Sequence, residues 1–411
     1  MVTGAFRMTT QTLPPHVPAD KAVRLAYFAR EVVKDCPQET LIPEMHRTLG
    51  PITYVTNIFP GDKPGWLLTG FDDTMAMLRD ADNYTKNGMG QWSQSIGESW
   101  LVVPTEVDPP MHTFYRKALN PSFSPQKMAA LKDDLRRRAT DLIDKFKDRT
   151  SCDFINEFSE RYPIFIVLDL LGLPQDRMAE FLVWEKQMLH SNDWEVRSDG
   201  VRKAVDYLKA EIADRRINPR DDYITKLFDL EAEEGRKWND EEVLGHCFNL
   251  FLGGLDTVTT MLGNIFTHLA RYPEQQQELR ENPDRIVLAV EEFLRVYGPV
   301  TAFRIAAREL EIHGQKIMPG EYVSVSTPVV NQDPKMHDNP SQVRFDRKAA
   351  HVALGGGIHK CLGMHLARFE LQTALEEFLK AIPPFRLKDG FELGYFVGNI
   401  TFVPKLELQW G

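Results

Sequence analysis

The segment Trp238-Asn239-Asp240-Glu241-Glu242 opens a helical pattern that meets no breaker until Pro273. Asn239 is suited to cap the first turn, and Glu242 stands where a capping box needs its reciprocating acid. Pro273 stops the pattern after Arg271-Tyr272. The span is about thirty residues, roughly 45 Å at 1.5 Å per residue. A helix of that length crosses a whole domain of the size this chain can form.

Its middle is chemically unusual. FLGGLDTVTT places Gly253 and Gly254 together, then Asp256 and Thr257, inside an otherwise apolar stretch. Each glycine in a helix interior costs about 1 kcal/mol relative to alanine. The pair predicts close approach by something bulky, or a local opening of the helix. Asp256 is costly to bury without a partner. Thr257 can donate its hydroxyl to a carbonyl one turn earlier or leave it for a ligand. Tight helix packing around an incidental Asp-Thr pair stands as the plainer alternative.

The remaining pattern is mostly helical from Ser124 to Leu279, with amphipathic repeats in KMAALKDDLRRRATDLIDKF and KAVDYLKAEIADRR and a nearly all-apolar RYPIFIVLDLLGLP ending at Gly172 and Pro174. ITYVTNIF and GWLLTG flank PGDKP, which predicts a hairpin. Short strands and turns follow residue 299, helix returns in HLARFELQTALEEFLKAI, and the tail from Phe385 to Trp410 reads as strands and loops. No repeat or linker divides the chain, so one domain over residues 1–411 is expected, with residues 1–20 as an extended arm. Residues 83–110, rich in Gly, Ser and Trp, read as a lid or as an ordinary surface excursion.

The acidic balance, 59 Asp and Glu against 49 Lys and Arg, argues against a nucleic-acid protein. The cysteines at 36, 152, 247 and 361 are too few and scattered for a disulfide scaffold or a structural zinc site. No signal peptide and no run of eighteen apolar residues occurs, so a soluble cytoplasmic protein without membrane contact is expected.

Two further segments carry chemistry. HVALGGGIHKCLGMHLARFE sets three glycines, Gly355 to Gly357, ahead of Cys361, which stands just before a helix with Gly363 following. The glycines free the backbone to turn against a flat partner, and Gly363 is expected to let the helix come close. Amides at a helix start stabilise a thiolate, and such a thiolate suits haem iron. A buried inert cysteine and a nucleophile, with His359 or His365 nearby, are the other readings. In VEEFLRVYG, Glu292 and Arg295 share a helical face and can pair, though exposed pairs at this spacing are common.

Taken together, Gly253-Gly254-x-Asp256-Thr257, Glu292-x-x-Arg295 and Gly355-x-Gly357-x-His359-x-Cys361-x-Gly363 resemble the cytochrome P-450 family of haem-thiolate monooxygenases. PPHVP and PTEVDPPMHTFYRKALNPSFSP also resemble its soluble bacterial branch, and GGLDTV and GIHKCLGMHLARFE its camphor hydroxylase group. The resemblance implies a mainly α fold, a helical triangular prism with a smaller β-rich region. It implies haem b with Cys361 as axial ligand, propionates held by Arg116, His359 and Arg304, and a buried pair Glu292–Arg295 with Arg344 as third member. It gives Thr257 a hydrogen bond to the oxygen being activated from O2, and Asp256 the relay of protons. Three departures from the group's pattern stand out: Leu354 in place of Phe, Ala302 in place of Asp near a propionate, and Trp100 in place of a Tyr that holds a ketone.

Carried over in the same way, the pocket is Trp92, Trp100, Leu101, Asn249, Leu252, Gly253, Val300, Tyr395 and Phe396. Most are apolar, so binding should come from burying hydrocarbon. A small terpenoid or norisoprenoid is the expected substrate, a small aromatic or alicyclic compound its rival. Asn249 either offers a polar contact to such a ligand or is bonded to its own surroundings. Electrons are expected from a [2Fe-2S] ferredoxin and its NAD(P)H-dependent flavin reductase, docking on a monomer near Arg116, Lys117 and the Arg136-Arg137-Arg138 run. A peroxygenase, a haem sensor or carrier, and a helical binding protein without haem are the competing classes. The first wastes the Asp256-Thr257 pair, as does the second, and the third leaves the Cys361 loop without a purpose.

Overall fold

The computed structural model describes residues 6–8, 12–59, 61–89 and 91–411. Its central element is the helix Asp240–Arg271, 32 residues long, about 48 Å. The capping box forms as the sequence reads. Glu242 N–H donates to Asn239 Oδ1 at 2.9 Å, and Asn239 N–H donates to Glu242 Oε2 at 2.8 Å. The paired glycines leave the helix unbroken, so of the two expectations the close approach is the one realised, at Gly254 alone. A Cβ there would lie 2.6 Å from Val167 Cγ2 on the neighbouring helix Arg161–Leu171.

Helices Met178–His190 and Trp194–Ile217 pack on each other and against the long helix. The apolar run ending at Gly172 closes as a helix there because Gly172 adopts φ 71°, and a Cβ would strike Asp222 at 2.5 Å. The repeat in residues 127–146 does not form one helix. It breaks into Pro125–Ala129 and Lys132–Ile143 at Leu131, whose ψ of -5° ends the first turn series.

The strands gather mainly in one seven-stranded sheet. The predicted hairpin is Ile52–Phe59 against Lys63–Leu68, with Ile52 opposite Leu68 and Tyr54 opposite Trp66. Tyr322–Ser326 adds parallel to Lys63–Leu68, and Thr301–Ala306 adds antiparallel to it, setting Val323 opposite Arg304. Of the expected N-terminal arm, residues 1–5 and 9–11 lie outside the described residues. Phe6–Met8 pairs with Val23–Leu25 at the sheet edge, and Ala19–Lys21 makes a 3-10 turn. The chain is mainly helical with a smaller β-rich part, and the buried apolar side chains form one large cluster along the long helix and two smaller ones beside the sheet.

Glu292 and Arg295, on helix Ile286–Tyr297, are fully buried. Arg295 Nε donates to Glu292 Oε2 at 2.8 Å and Nη2 to Oε1 at 2.7 Å; its remaining N–H groups hold the carbonyls of Asn331, Pro340 and Gln342. The pair thus binds the loop that leads to the Cys361 segment. The third guanidinium is not Arg344. That side chain turns outward to Asp346, and only its backbone N–H reaches Glu292, at 3.0 Å. Arg347 Nε sits 3.2 Å from Glu292 Oε1 instead. A turn closed by Arg347 N–H donating to Arg344 O at 3.2 Å buries the Phe345 ring and leaves Arg344 outside.

Candidate active site

The Cys361 loop is held by its own backbone. Cys361 N–H donates to Leu354 O at 2.9 Å, and Gly355 N–H to Val352 O at 2.8 Å. Gly355 and Gly357 take φ of 71° and 61°, a region that only glycine enters freely. At Gly357 the demand is double, since a Cβ would fall 1.8 Å from Leu78 O. Gly363 caps helix Met364–Ala381, and a Cβ there would meet no atom within 4 Å. Burial pushes the Cys361 thiol up, while the Gly363 amide, Arg116 and Arg368 pull the other way. Arg368 is in turn clamped to Glu291 through two hydrogen bonds of 2.6 and 2.8 Å, tying the cysteine helix to the Glu292–Arg295 helix.

Beside this loop five basic side chains converge. Arg304 comes from strand Thr301–Ala306, His112 and Arg116 from helix Met111–Leu119, Lys86 from the 83–110 segment and His359 from the loop itself. Burial, then Arg304, His112, Lys86 and Arg116, drive the His359 ring down to about 2. Burial and Arg116 lower His112 to about 4, burial and Arg304 lower Lys86 to about 7, and burial lowers Arg304 to about 10. Two anions stand among them: Asp108, 3.8 Å from His359 Nε2, and Glu106, which acts on Lys86. The Nε2 atoms of both histidines are buried with no hydrogen-bond partner. Basic groups whose protonation is suppressed by burial and by one another, around ring nitrogens left without a partner among the described residues, make a receptor for more negative charge. Two carboxylates of a haem fit that receptor. Lys86 and His112 escaped the sequence reading. The available signal was the i, i+4 spacing of His112 and Arg116, which puts both on one helix face.

On the long helix, Asn249, Gly253 and Thr257 fall on one face and stay accessible while their neighbours Phe248, Phe251 and Val258 are buried. A Cβ on Gly253 would meet nothing within 4 Å. Thr257 Oγ1 donates to Gly253 O at 2.6 Å, the back-bond expected of a mid-helix threonine. Asp256 is 1% exposed and points elsewhere, toward His190 Nε2 at 2.9 Å.

The expected pocket residues divide. Trp92 and Trp100 both pack edge-on against Phe248, so the 83–110 segment lies on the long helix. The Trp100 N–H is given to Glu98 Oε2 at 2.7 Å, which also binds Lys209. Leu252 packs partly buried against the main core, and Val300 bridges to Ile400. Asn249 Oδ1 accepts from Thr105 Oγ1 at 3.0 Å, favouring the reading in which it is bonded to its own surroundings. Leu101 is 41% exposed, and its carbonyl meets the helix where Gly245 has no Cβ. One assignment needs correction. Tyr395 turns its hydroxyl to Arg271, 3.3 Å away at the far end of the long helix. Arg271 is fourteen residues beyond Thr257, about 21 Å along the axis. Strand alternation then puts Phe396 on the opposite side, stacked on Phe402.

A glycine-turned cysteine loop, a basic receptor beside it and an accessible threonine next to a buried aspartate on a long helix define a haem-thiolate site. Comparison with known proteins agrees. The family model described as Cytochrome P450 matches residues 143–388. "Probable cytochrome P450 127A1" of Sinorhizobium fredii is 33% identical over 410 residues, 98% of each chain. The polyketide biosynthesis cytochrome P450 PksS of Bacillus subtilis is 31% identical, over 80% of this chain and 84% of that protein. Among solved structures, CYP101J2 superposes with a TM-score of 0.86 at 28% identity, covering 98% of this chain and all of that one; CYP101C1 gives 0.85 at 29%, over 97% and all. The chain belongs to the cytochrome P450 family, and is related to its CYP101 members. Family membership carries haem-thiolate monooxygenase chemistry with haem b as cofactor and O2 as co-substrate.

Proposed function

We propose that this single-domain chain, a cytoplasmic monomer, hydroxylates an unactivated C–H bond of a small hydrophobic substrate, a terpenoid or norisoprenoid, using electrons from a [2Fe-2S] ferredoxin. Haem supplies the reductive activation of O2 when bound. Cys361 is the axial ligand in this reading, and Lys86, His112, Arg116, Arg304 and His359 hold the propionates. Thr257 exchanges its bond to Gly253 O for one to the oxygen site. Asp256 turns from His190 to carry protons toward Thr257. The observation that carries the reading is the convergence of five basic groups, two with orphaned nitrogens, beside the Cys361 loop.

The substrate class rests on less. Trp100 has its N–H committed to Glu98, and Asn249 has its oxygen committed to Thr105, so the polar hold on a ligand is weak and burial of hydrocarbon dominates.

The test begins with the carbon monoxide complex of the reduced protein. The thiolate band is expected in the wild type and lost in Cys361→Ser. The ferric protein is then titrated with ionones, monoterpenes, camphor and small aromatics. A low-spin to high-spin shift confined to the terpenoids and ionones supports the proposed class, and one confined to aromatics replaces it.

A further inference from the structure

Behind the proposed acid–alcohol step, Asp256 faces two side chains of helix Met178–His190. His190 Nε2 lies 2.9 Å from Asp256 Oδ1 and 3.8 Å from Glu185 Oε1. One ligand-capable atom from each of the three falls within 4.8 Å of the others. Glu185 is 4% exposed and Asp256 1%. Both carboxyl groups keep a buried oxygen, Oε1 and Oδ2, with no donor. The cations that would ordinarily neutralise such a pair are turned away: Lys186, next to Glu185, is bonded to Glu160 at 2.7 Å. Two buried carboxylates side by side demand a positive charge between them.

We propose that Glu185, His190 and Asp256 form a site for a divalent transition-metal ion of the zinc class, which closes the proton path through Asp256. One imidazole nitrogen and two carboxylate oxygens are a ligand set that zinc accepts with water in fourth place. Ligands at 2.0–2.2 Å in a tetrahedron stand about 3.4 Å apart, between the 2.9 and 3.8 Å observed here. The imidazole is already oriented by stacking on Phe402, 4.3 Å between centroids, and Thr260 Oγ1 approaches Asp256 Oδ1 at 3.4 Å as an outer donor. His190 is the partly exposed member, with 23% of its side chain accessible, and gives the ion its entrance. The site stands on its own geometry; its effect on turnover rests on the proton role proposed above for Asp256.

The experiment uses chelator-treated holoenzyme, in which haem occupies the cysteine, and titrates Zn2+ against a chromophoric zinc chelator. One Zn2+ per chain is expected. His190→Ala and Glu185→Gln should each weaken it at least tenfold while keeping the thiolate carbon monoxide band. Equal affinity in the wild type and both variants, or no uptake by the wild type, overturns the site. Product formed per electron should fall severalfold when Zn2+ is bound to the wild type. Stoichiometric binding with unchanged coupling would leave the metal site standing and overturn the proton role of Asp256.

Discussion

Thr257 spends its hydroxyl on Gly253 O, on the accessible face it shares with Asn249 and Gly253. Removing the hydroxyl deletes no contact that the fold depends on, so Thr257→Ala should bind substrate as before and consume reductant at a comparable rate. Product per electron should drop by about tenfold or more, with peroxide as the balance, because one hydrogen bond to a developing charge is worth 10–1000-fold. Equal coupling in the variant, measured as product against NAD(P)H consumed, would remove Thr257 from the mechanism. The glutamate at 292 offers a comparison between two arginines on one short segment. Arg347 reaches its carboxylate with a side chain only 11% exposed, whereas Arg344 pairs with Asp346 in solvent. Arg347→Leu should therefore cost about 2–4 kcal/mol, as expected when a buried charge loses a partner, and Arg344→Leu less than about 1 kcal/mol. Chemical denaturation of the two variants gives the ordering. The sequence alone placed an arginine near Glu292 but chose the wrong one. VRFDR offers two at a spacing of three, and only the burial of Phe345 between them decides which turns inward.

The two glycines of the long helix look equivalent on paper and are opposite in the fold. Gly254 is filled from outside by Val167 at 2.6 Å from a virtual Cβ, and Gly253 by nothing in the protein. Gly254→Ala should then lower stability by about 1–3 kcal/mol through overpacking, with the spin-state titration little changed. Gly253→Ala should gain a few tenths to 1 kcal/mol of helix propensity, yet weaken the substrate-induced spin shift by an order of magnitude, because its methyl enters the accessible face. Both are read from one denaturation curve and one optical titration, and matching behaviour of the two variants would contradict this division. Elements of this kind are where the sequence was most informative. The capping box at Asn239, the Pro273 stop and the hairpin about residues 60–64 are all local signals, and each formed. What escaped is tertiary. No local pattern says that Lys86 meets His359, that Leu101 presents its carbonyl to Gly245, or that Tyr395 looks to Arg271 and not to the accessible face. Those contacts join segments more than a hundred residues apart, and only packing brings them together.

At the scale of the whole molecule, the long helix carries two histidines with no charge in the folded state. Burial lowers both His246 and His268 to about 4. An exposed histidine in the unfolded chain titrates near 6.5, so between about pH 6.5 and 4 the unfolded state binds more protons. Stability is then fully present above 6.5, falls as pH drops through this window and levels off below 4. Each histidine can contribute up to roughly 3 kcal/mol of that loss. Denaturation midpoints of wild type and His246→Gln across the window should converge toward low pH. A parallel displacement of the two curves would show that His246 does not titrate on unfolding.

The outer surface bears on how electrons arrive. The arginine run named by the sequence is already neutralised: Arg136 is bonded to Glu376 and Glu377, Arg137 to Asp134 and Arg138 to Asp169. Arg116 is drawn inward and donates to Lys360 O at 2.9 Å. Arg79, Lys117 and Lys360 remain exposed around the Cys361 loop, with the Arg79 backbone against Gly357 and Lys360 adjoining the cysteine itself. If a ferredoxin docks here, opposite charge acts chiefly on the encounter rate in a chain that is acidic overall, with a net charge of -10. Reduction of the ferric, substrate-bound protein should slow severalfold as ionic strength rises from tens of millimolar to several hundred, since the Debye length shrinks to below 10 Å. Lys117→Glu and Lys360→Glu should each lower the second-order rate constant by about tenfold at low salt and flatten its salt dependence. Arg137→Glu, changing a charge already paired on another helix, should do neither. Stopped-flow reduction with a [2Fe-2S] ferredoxin measures all three. A salt-independent wild-type rate, or an Arg137→Glu effect as large as the lysine pair, would move the docking face away from the cysteine loop.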